Sequence, residues 1–535
     1  ARFYDNRSLA WENQLTFKKT FGLHNINATA VYDVRRNDND NISGNAAGFP
    51  YEQLPIFSQG GTSSYELQGG RGIFRSISYL ARLIYDYDGK YLFTGSIRRD
   101  GNTRFAPGYQ WGTFPAFSLA WKLNEDLLPQ VEQIDMLKLR FGWGLTGNSN
   151  IGGFQYDDFL SPPRNFAPVF GVNQTEAPGQ YIYYSFANPI IQWESAAMTN
   201  IGLDANLFRN KLQLTAEYYI KNQDELLVEK SISSVFGRSM DGSFPWVNVG
   251  DIQNRGFEFN GSFRETRGDF YYSISGSLTT IKNEVLDIPD RIIQGNTVTE
   301  VGRPIGSLYG YVAERIITEA DFNEEGDYLH AEPSEGVPSP GDLKFKDLNS
   351  DGYIDEADRT PIGKALPDFI YSLSVDLEYK GFDFNMFFNG MQNYQIFNQE
   401  RAQLSSFNSQ DLDHQKLLAF AENYYREDRP SNEYVRADLN NENVNDRIST
   451  WWIEDGSFLR LKDVQLGYSL PASVLNSVNI ERLRLYVSMA NAFVFTKYRG
   501  RDPENATFQS PLNSGTDSGG YPNPRTYTFG IQVDF

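Results

Sequence analysis

A chain of 535 residues is long enough for three or four soluble domains, yet 15% of it is aromatic, with 32 Tyr and 39 Phe, while its mean hydropathy is −0.49. No run approaches the ~18 consecutive apolar residues of a membrane helix, which excludes helical membrane proteins but not strands of ~9–11 residues. The net charge of −20 disfavours nucleic acid as a partner, and with no cysteine the chain lacks the disulfides common in large secreted proteins.

An aromatic chain with a polar average must place its apolar side chains selectively. Alternating strands do this, one face apolar and the other wet. The first strand is expected near Ser8–Lys18. The clearest pair lies between Ser76 and Arg99. Ile77, Tyr79, Ala81, Leu83, Tyr85 and Tyr87 share a face, Asp88-Gly89 supplies a two-residue hairpin turn, and Tyr91, Phe93, Gly95 and Ile97 continue that face. Leu137, Leu139, Phe141, Trp143 and Leu145 alternate with polar or glycine positions. Leu203 and Leu207 turn through Arg209-Asn210 into Leu212 and Leu214, and Leu373, Val375 and Leu377 turn through Lys380-Gly381 into Phe382 and Phe384. Tyr527, Phe529, Ile531, Val533 and Phe535 form a last alternating strand ending on an aromatic, as in strands that bacterial barrel-assembly machinery recognises.

Short and long connections alternate. The short ones fall near 20–24, 88–90, 124–135, 208–211, 265–269, 380–381 and 471–481. The long ones span 37–75, 100–112, 147–197, 222–255, 283–369, 392–456 and 497–525, dense in Pro, Asn, Asp and Gly. Short periplasmic turns opposite long extracellular loops are the rule for outer-membrane barrels. The expected fold is therefore all-β, a transmembrane antiparallel β-barrel. About fifteen strands can be counted, whereas bacterial barrels use an even number and plugged transporters about 22. The first and last strands both descend, so residues 1–535 read as the C-terminal portion of a longer precursor, with the first strands and a plug elsewhere. The chain starts Ala-Arg-Phe-Tyr, without an initiator Met, signal peptide or lipidation motif.

Several segments resemble one family. They are the run from Arg98 to Phe105 (RRDGNTRF), Trp111 to Trp121 (WGTFPAFSLAW), Leu137 to Asn148 (LKLRFGWGLTGN), Asn248 to Glu258 (NVGDIQNRGFE), Gly341 to Asp355 (GDLKFKDLNSDGYID) and Asp455 to Pro471 (DGSFLRLKDVQLGYSLP). Together they are similar to the SusC/RagA-type TonB-linked outer-membrane proteins of Bacteroidetes. The resemblance implies a 22-stranded barrel with an N-terminal plug, located in the outer membrane with its loops facing the cell exterior. It also implies import of bulky nutrients, glycans or peptides, with a SusD-like surface lipoprotein and the TonB complex as partners. Two other classes stay open: a non-transporting barrel (adhesin, structural or secretion component) and a soluble sugar-binding β-protein.

The sharpest local motif lies within 341–360. Asp347, Asn349, Asp351, Tyr353, Asp355 and Asp358 occupy positions 1, 3, 5, 7, 9 and 12 of a calcium-loop template, with Gly352 at position 6. A structural Ca2+ in an extracellular loop is expected, although an Asp at position 12 reaches less far than the usual Glu. An Asx-rich turn without metal is the alternative. Trp451, Trp452, Tyr424, Tyr425 and Tyr183 are loop aromatics that could stack on a sugar or a peptide side chain, anchor loops to one another, or meet the lipoprotein. With His24, His330 and His414 as the only histidines, and no phosphate loop or Cys/His cluster, no enzyme is expected and no organic cofactor.

Overall fold

The computed structural model describes residues 2–47, 66–153, 155–157, 159–161, 182–185, 187–229, 245–334, 336–406, 415–438, 443–475, 480–505 and 512–535. Fifteen strands follow the chain, each hydrogen-bonded to the next. They are β1 (Arg2–Phe21), β2 (His24–Asn45), β3 (Glu66–Tyr87), β4 (Tyr91–Asn102), β5 (Trp111–Lys122), β6 (Ile134–Asn148), β7 (Glu194–Leu207), β8 (Leu212–Asp224), β9 (Asp251–Arg267), β10 (Phe270–Thr280), β11 (Phe369–Tyr379), β12 (Phe382–Gln392), β13 (Phe458–Ser469), β14 (Arg482–Thr496) and β15 (Thr526–Asp534). A sixteenth, Lys282–Asp287, leaves this path to pair with β9. Among the described residues no helix is long and apolar enough to cross a membrane.

The short turns form where the sequence places them. Asp88 and Gly89 both have positive φ, 55° and 65°, and Lys90 N–H donates to the Tyr87 carbonyl at 3.0 Å. That is the primed turn whose twist matches the flanking strands. Lys380-Gly381 (φ 46° and 87°) turns in the same way, whereas the connection from Leu207 to Leu212 carries three positive φ values, at Phe208, Arg209 and Asn210 (56°, 61° and 59°), with Asn210 N–H donating to Asp135. The expected bounds of the first elements need correction. β1 runs from Arg2 to Phe21 rather than near Ser8–Lys18, and much of the supposed loop 37–75 is strand, because β2 and β3 stay paired from His24↔Tyr87 to Asn45↔Glu66. Polar residues on both faces hid this ribbon from a search for apolar alternation.

The chain forms two compact units. The first comprises Ala1–Pro129, Lys138–Ile201 and Lys221–Asp251; the second comprises Gln130–Leu137, Gly202–Ile220 and Ile252–Phe535. In the first unit the pleat sorts side chains onto two faces. One face is bounded by two lines of rings. Phe21, His24, Tyr87, Tyr91 and Trp121 lie opposite one another in register, with Tyr91 stacked on Trp121 at 6.0 Å. Further along, Trp11, Tyr32, Tyr79 and Trp111 touch in series at 6.0, 5.3 and 6.2 Å. On β4 the two lines are ten residues apart, from Tyr91 to Gly101, the register partner of Trp111. At ~3.3 Å per residue and a strand tilt of ~40° this gives a height of about 25 Å, the span of the apolar band of an outer-membrane barrel. Leu15, Leu83, Ile97 and Leu119 lie between them, exposed.

In the second unit the same sorting leaves Leu466, Val487 and Phe529 exposed and in register across β13–β15. Its buried core lies in the long connections. Leu308, Leu343, Phe345, Ile354, Phe397, Phe420, Tyr425 and Trp452 come from 281–368 and 393–457 and pack into one cluster. Short strands tie it together: Ser307–Gly310 pairs with Thr360–Gly363, and Gln395–Asn398 pairs with Ile453–Asp455 and with Thr516–Asp517 of the last connection.

Candidate functional site

The polar face of the first unit carries fixed charge. Asp33, Ser78 and Asp100 face one another across β2–β4. Arg35 Nε donates to Asp33 at 2.9 Å, and Arg98 Nε donates to both Asp100 oxygens at 2.8 Å while its Nη2 donates to Ser78 Oγ at 3.2 Å. These groups line a recess of about 500 Å³, together with Asn102, Thr146 and Trp193. Two guanidinium–carboxylate pairs, each formed two residues apart on one strand, keep hydrogen-bond donors and acceptors at fixed points on this face.

Loops beside this recess are held by polar clamps. After β4 the chain dips: Asn102 Oδ1 accepts from Arg104 N–H at 3.0 Å, Arg104 Nη1 donates to the Ser149 carbonyl at 3.0 Å, and Phe105 is fully buried 4.7 Å from the Trp193 ring. Trp193 Nε1 donates to the Gln110 carbonyl at 3.0 Å. Asn248 grips Gln192 by both backbone groups, accepting from its N–H and donating to its carbonyl at 2.9 Å each. Buried Glu194 accepts from Gln223 Nε2 at 2.9 Å and from Leu227 N–H at 3.2 Å. The RRDGNTRF run and Asn248 therefore fasten loops onto the polar face.

The GDLKF run plays the corresponding part in the second unit. Asp342 is wholly buried and accepts from Arg436 Nε at 2.8 Å, Asn445 Nδ2 at 2.8 Å and Ser339 N–H at 2.9 Å. Burial pushes its carboxyl above the ordinary value, against the pull of Arg436. Asn445 Oδ1 and Asn443 Nδ2 bind the two backbone groups of Leu343. Arg460, within DGSFLRLKD, is buried against Asp502 at 2.5 Å and Glu504 at 2.8 Å. Arg401 and Glu454 form a second buried pair at 2.9 Å. The partners of Asp342 and Arg460 lie on other connections and Glu454 is 53 residues from Arg401, so these pairings could not be seen in sequence. Asp342 and Arg460 do sit inside motif runs, the one available signal.

The predicted metal loop folds as a chain of Asx turns. Asp347 Oδ1 and Oδ2 accept from Ser350 and Gly352 N–H at 2.6 and 3.0 Å. Asp351 Oδ1 accepts from Tyr353 N–H at 2.9 Å, and Asp355 Oδ1 from Ala357 N–H at 2.7 Å. Asn349 Nδ2 donates to Asp351 Oδ2 at 2.8 Å. Buried Asp358 accepts from Leu348 and Asp355 N–H at 2.7 and 2.9 Å. Gly352 has φ +89°, the sharp turn expected at the sixth position. Among the described residues no group of three or more His, Cys, Asp or Glu side chains is arranged to hold a metal, so an ion here would draw on Asn349 and backbone carbonyls as well.

The loop aromatics divide. Trp452 is 1% and Tyr425 6% exposed, so neither can stack on a ligand. Both belong to the core of the loop layer, and Trp452 Nε1 donates to the Asn445 carbonyl at 2.8 Å. Trp451 and Tyr424 pack partly buried against the same core. All four thus contact the loop core, Trp452 and Tyr425 from within it and Trp451 and Tyr424 from its edge. Tyr183 lies in the short strand Ile182–Ser185, with its side chain outside the described residues. His24 Nδ1 meets Tyr85 Oη at 2.7 Å, His330 Nε2 meets Asp321 at 2.8 Å, and His414 lies outside the described residues.

Comparison with known proteins places this geometry. The family described as "TonB dependent receptor-like, beta-barrel" matches residues 1–492. The chain is 30% identical to TonB-dependent receptor P3 of Formosa agariphila, over 98% of this chain and 52% of that protein. It is 28% identical to TonB-dependent receptor SusC of Bacteroides thetaiotaomicron, over 86% of this chain and 44% of that protein. It thus spans about half the length of the curated relatives it matches. The solved structure of the RagAB peptide transporter superposes with a TM-score of 0.80 at 20% identity, covering 100% of this chain and 56% of that one, a likeness of fold. The chain belongs to the TonB-dependent receptor-like β-barrel family.

Proposed function

We propose that this chain lines the passage of an outer-membrane importer for bulky oligomeric nutrients, glycans or peptides, with its long connections on the cell exterior. The observation that carries this reading is the contrast between the two faces of β2–β5. One is apolar between aromatic lines; the other carries the Asp33–Arg35 and Arg98–Asp100 pairs beside a polar recess. A transmembrane strand places its polar face toward the lumen. The names of the TonB-dependent receptor SusC and of the RagAB peptide importer, the latter a likeness of fold, support an import role energised through the TonB complex; a SusD-like lipoprotein over the loop layer belongs to the same proposal. The alternative, a barrel serving as adhesin or secretion component, draws no support from those names.

The test is growth and uptake by cells in which the gene is deleted and then restored. Cells with the gene take up a fluorescent oligopeptide or a fluorescent oligosaccharide from a size-graded series, and lose this on removal of TonB. Uptake of one class only assigns the substrate. Unchanged uptake of both series after deletion would contradict the reading.

The loop from Asp347 to Asp358 is proposed to hold one structural hard cation, supported by its oxygen spacing and the Gly352 turn. Bound Ca2+ would then raise the temperature at which the loop layer opens, relative to protein in chelator. Equal opening temperatures in calcium and chelator would remove the ion from the account.

A further inference from the structure

Adjacent residues of the RRDG run present their guanidiniums on opposite faces of β4. Arg98, on the polar face, is paired with Asp100. Arg99, exposed on the apolar face, lies with its guanidinium 5.2 Å from the Trp111 ring centre, and among the described residues no carboxylate pairs with it. It stands two residues along β4 from Gly101, the partner of Trp111, and in register with Thr113 and with Tyr79, a ring of the second line. Directly inside it lies a groove of about 660 Å³, floored by Ala30 and Ala81 and walled by Leu15, Tyr32, Tyr79 and Ile97. Ala30 and Ala81 are register partners of Leu15 and Ile97, so a pair of small side chains sits between two large ones. The groove is predominantly apolar.

A guanidinium is costly among lipid tails at the bilayer midplane and nearly free of that cost at the interface. Arg99 is at the depth where the headgroup layer begins, and it has no acidic partner in register. We propose that Arg99, Trp111 and the Ala30–Ala81 groove form a binding site for a phosphate-bearing lipid. The phosphate oxygens accept hydrogen bonds from Arg99, as guanidinium and phosphate pair best, and one acyl chain occupies the groove. The site faces away from the polar recess and is independent of what the passage carries. Loss of uptake would leave it standing, and loss of lipid binding would leave the importer reading standing.

The experiment is native mass spectrometry of the complete protein in detergent, titrated with dioleoyl phosphatidate and, separately, with dioleoylglycerol, which lacks the phosphate. Folding of each variant is checked by its faster gel migration before heating. The wild type should form a phosphatidate adduct, and Arg99→Gln should need about tenfold more lipid to do so. Arg99→Lys, which keeps the charge, should fall between them. Ala81→Phe, which fills the groove while leaving Arg99 in place, should weaken the adduct as well. Dioleoylglycerol should bind poorly to all. Equal phosphatidate binding by the wild type and Arg99→Gln would overturn the proposal, as would equal binding of the two lipids or indifference to Ala81→Phe.

Discussion

At the residue scale, the loop layer depends on a few buried polar and aromatic side chains. Trp452 fills the centre of the second unit's loop core, beneath the Arg401 guanidinium 4.9 Å from its ring centre. Truncation to alanine leaves a cavity and deprives the Asn445 carbonyl of its donor. Trp452→Ala should therefore destabilise the layer by about 3–5 kcal/mol. Hydrogen exchange should show amides at Leu308, Leu343 and Phe397 losing protection while those of β13–β15 keep theirs; unchanged protection of the loop amides would refute its core role. Asp321 makes a second prediction. Its carboxyl is held well below the usual carboxylate range, chiefly by Arg315, with help from Thr318 N–H and His330 and against burial. A folded value below the unfolded one stabilises the layer at every pH above the unfolded value of about 4, and this is lost as pH falls through the folded value. Loop opening should thus be insensitive to pH near neutrality and become easier in acid. Asp321→Asn should open more readily at pH 7 and lose the acid slope; a slope persisting in the variant would assign it to other groups.

At the element scale, the strands were legible because a half-buried strand repeats every two residues and its turns need particular backbone angles. Asp88-Gly89 and Lys380-Gly381 could be placed from residue type alone, since positive φ is tolerated by few side chains. The loop layer was not legible. Its core draws Leu308, Phe345, Phe420 and Trp452 from positions with no common period, and pairings such as Phe397↔Thr516 join segments far apart in the chain. The aromatic pairs Trp451-Trp452 and Tyr424-Tyr425 were visible, but sequence could not say whether they face a ligand or each other's loops. The branch between β10 and Lys282–Asp287 was also hidden. There Gly256 lies so close to Thr280 that an added Cβ would stand 1.8 Å from its carbonyl oxygen. Backbone on both sides cannot yield without breaking the pairing. Gly256→Ala should sharply reduce the fraction of protein with folded gel mobility, whereas Gly268→Ala, with nothing within 4 Å but φ +60°, should cost only about 1 kcal/mol. Equal yields for the two variants would show that the close approach is not required.

At the scale of the whole molecule, the account joins three features: a sheet in strict chain order, an apolar face bounded by rings in the first unit, and short turns alternating with long connections. Each is what a transmembrane barrel demands of its sequence. The importer reading depends on the polar face being wet and on the long connections lying outside the cell. Because these 535 residues contain no cysteine, none of them competes with a single introduced cysteine. The most direct test is labelling of intact cells with a membrane-impermeant maleimide at Asn323 in a long connection, Gly268 in a short turn, and Ser96 and Ile97 on opposite faces of β4. Cysteine at 323 should label in intact cells and at 268 only after the outer membrane is permeabilised. In permeabilised membranes position 96 should react while 97 stays protected by the surrounding lipid. Labelling at 268 from outside, or equal reaction at 96 and 97 in the membrane, would contradict the account.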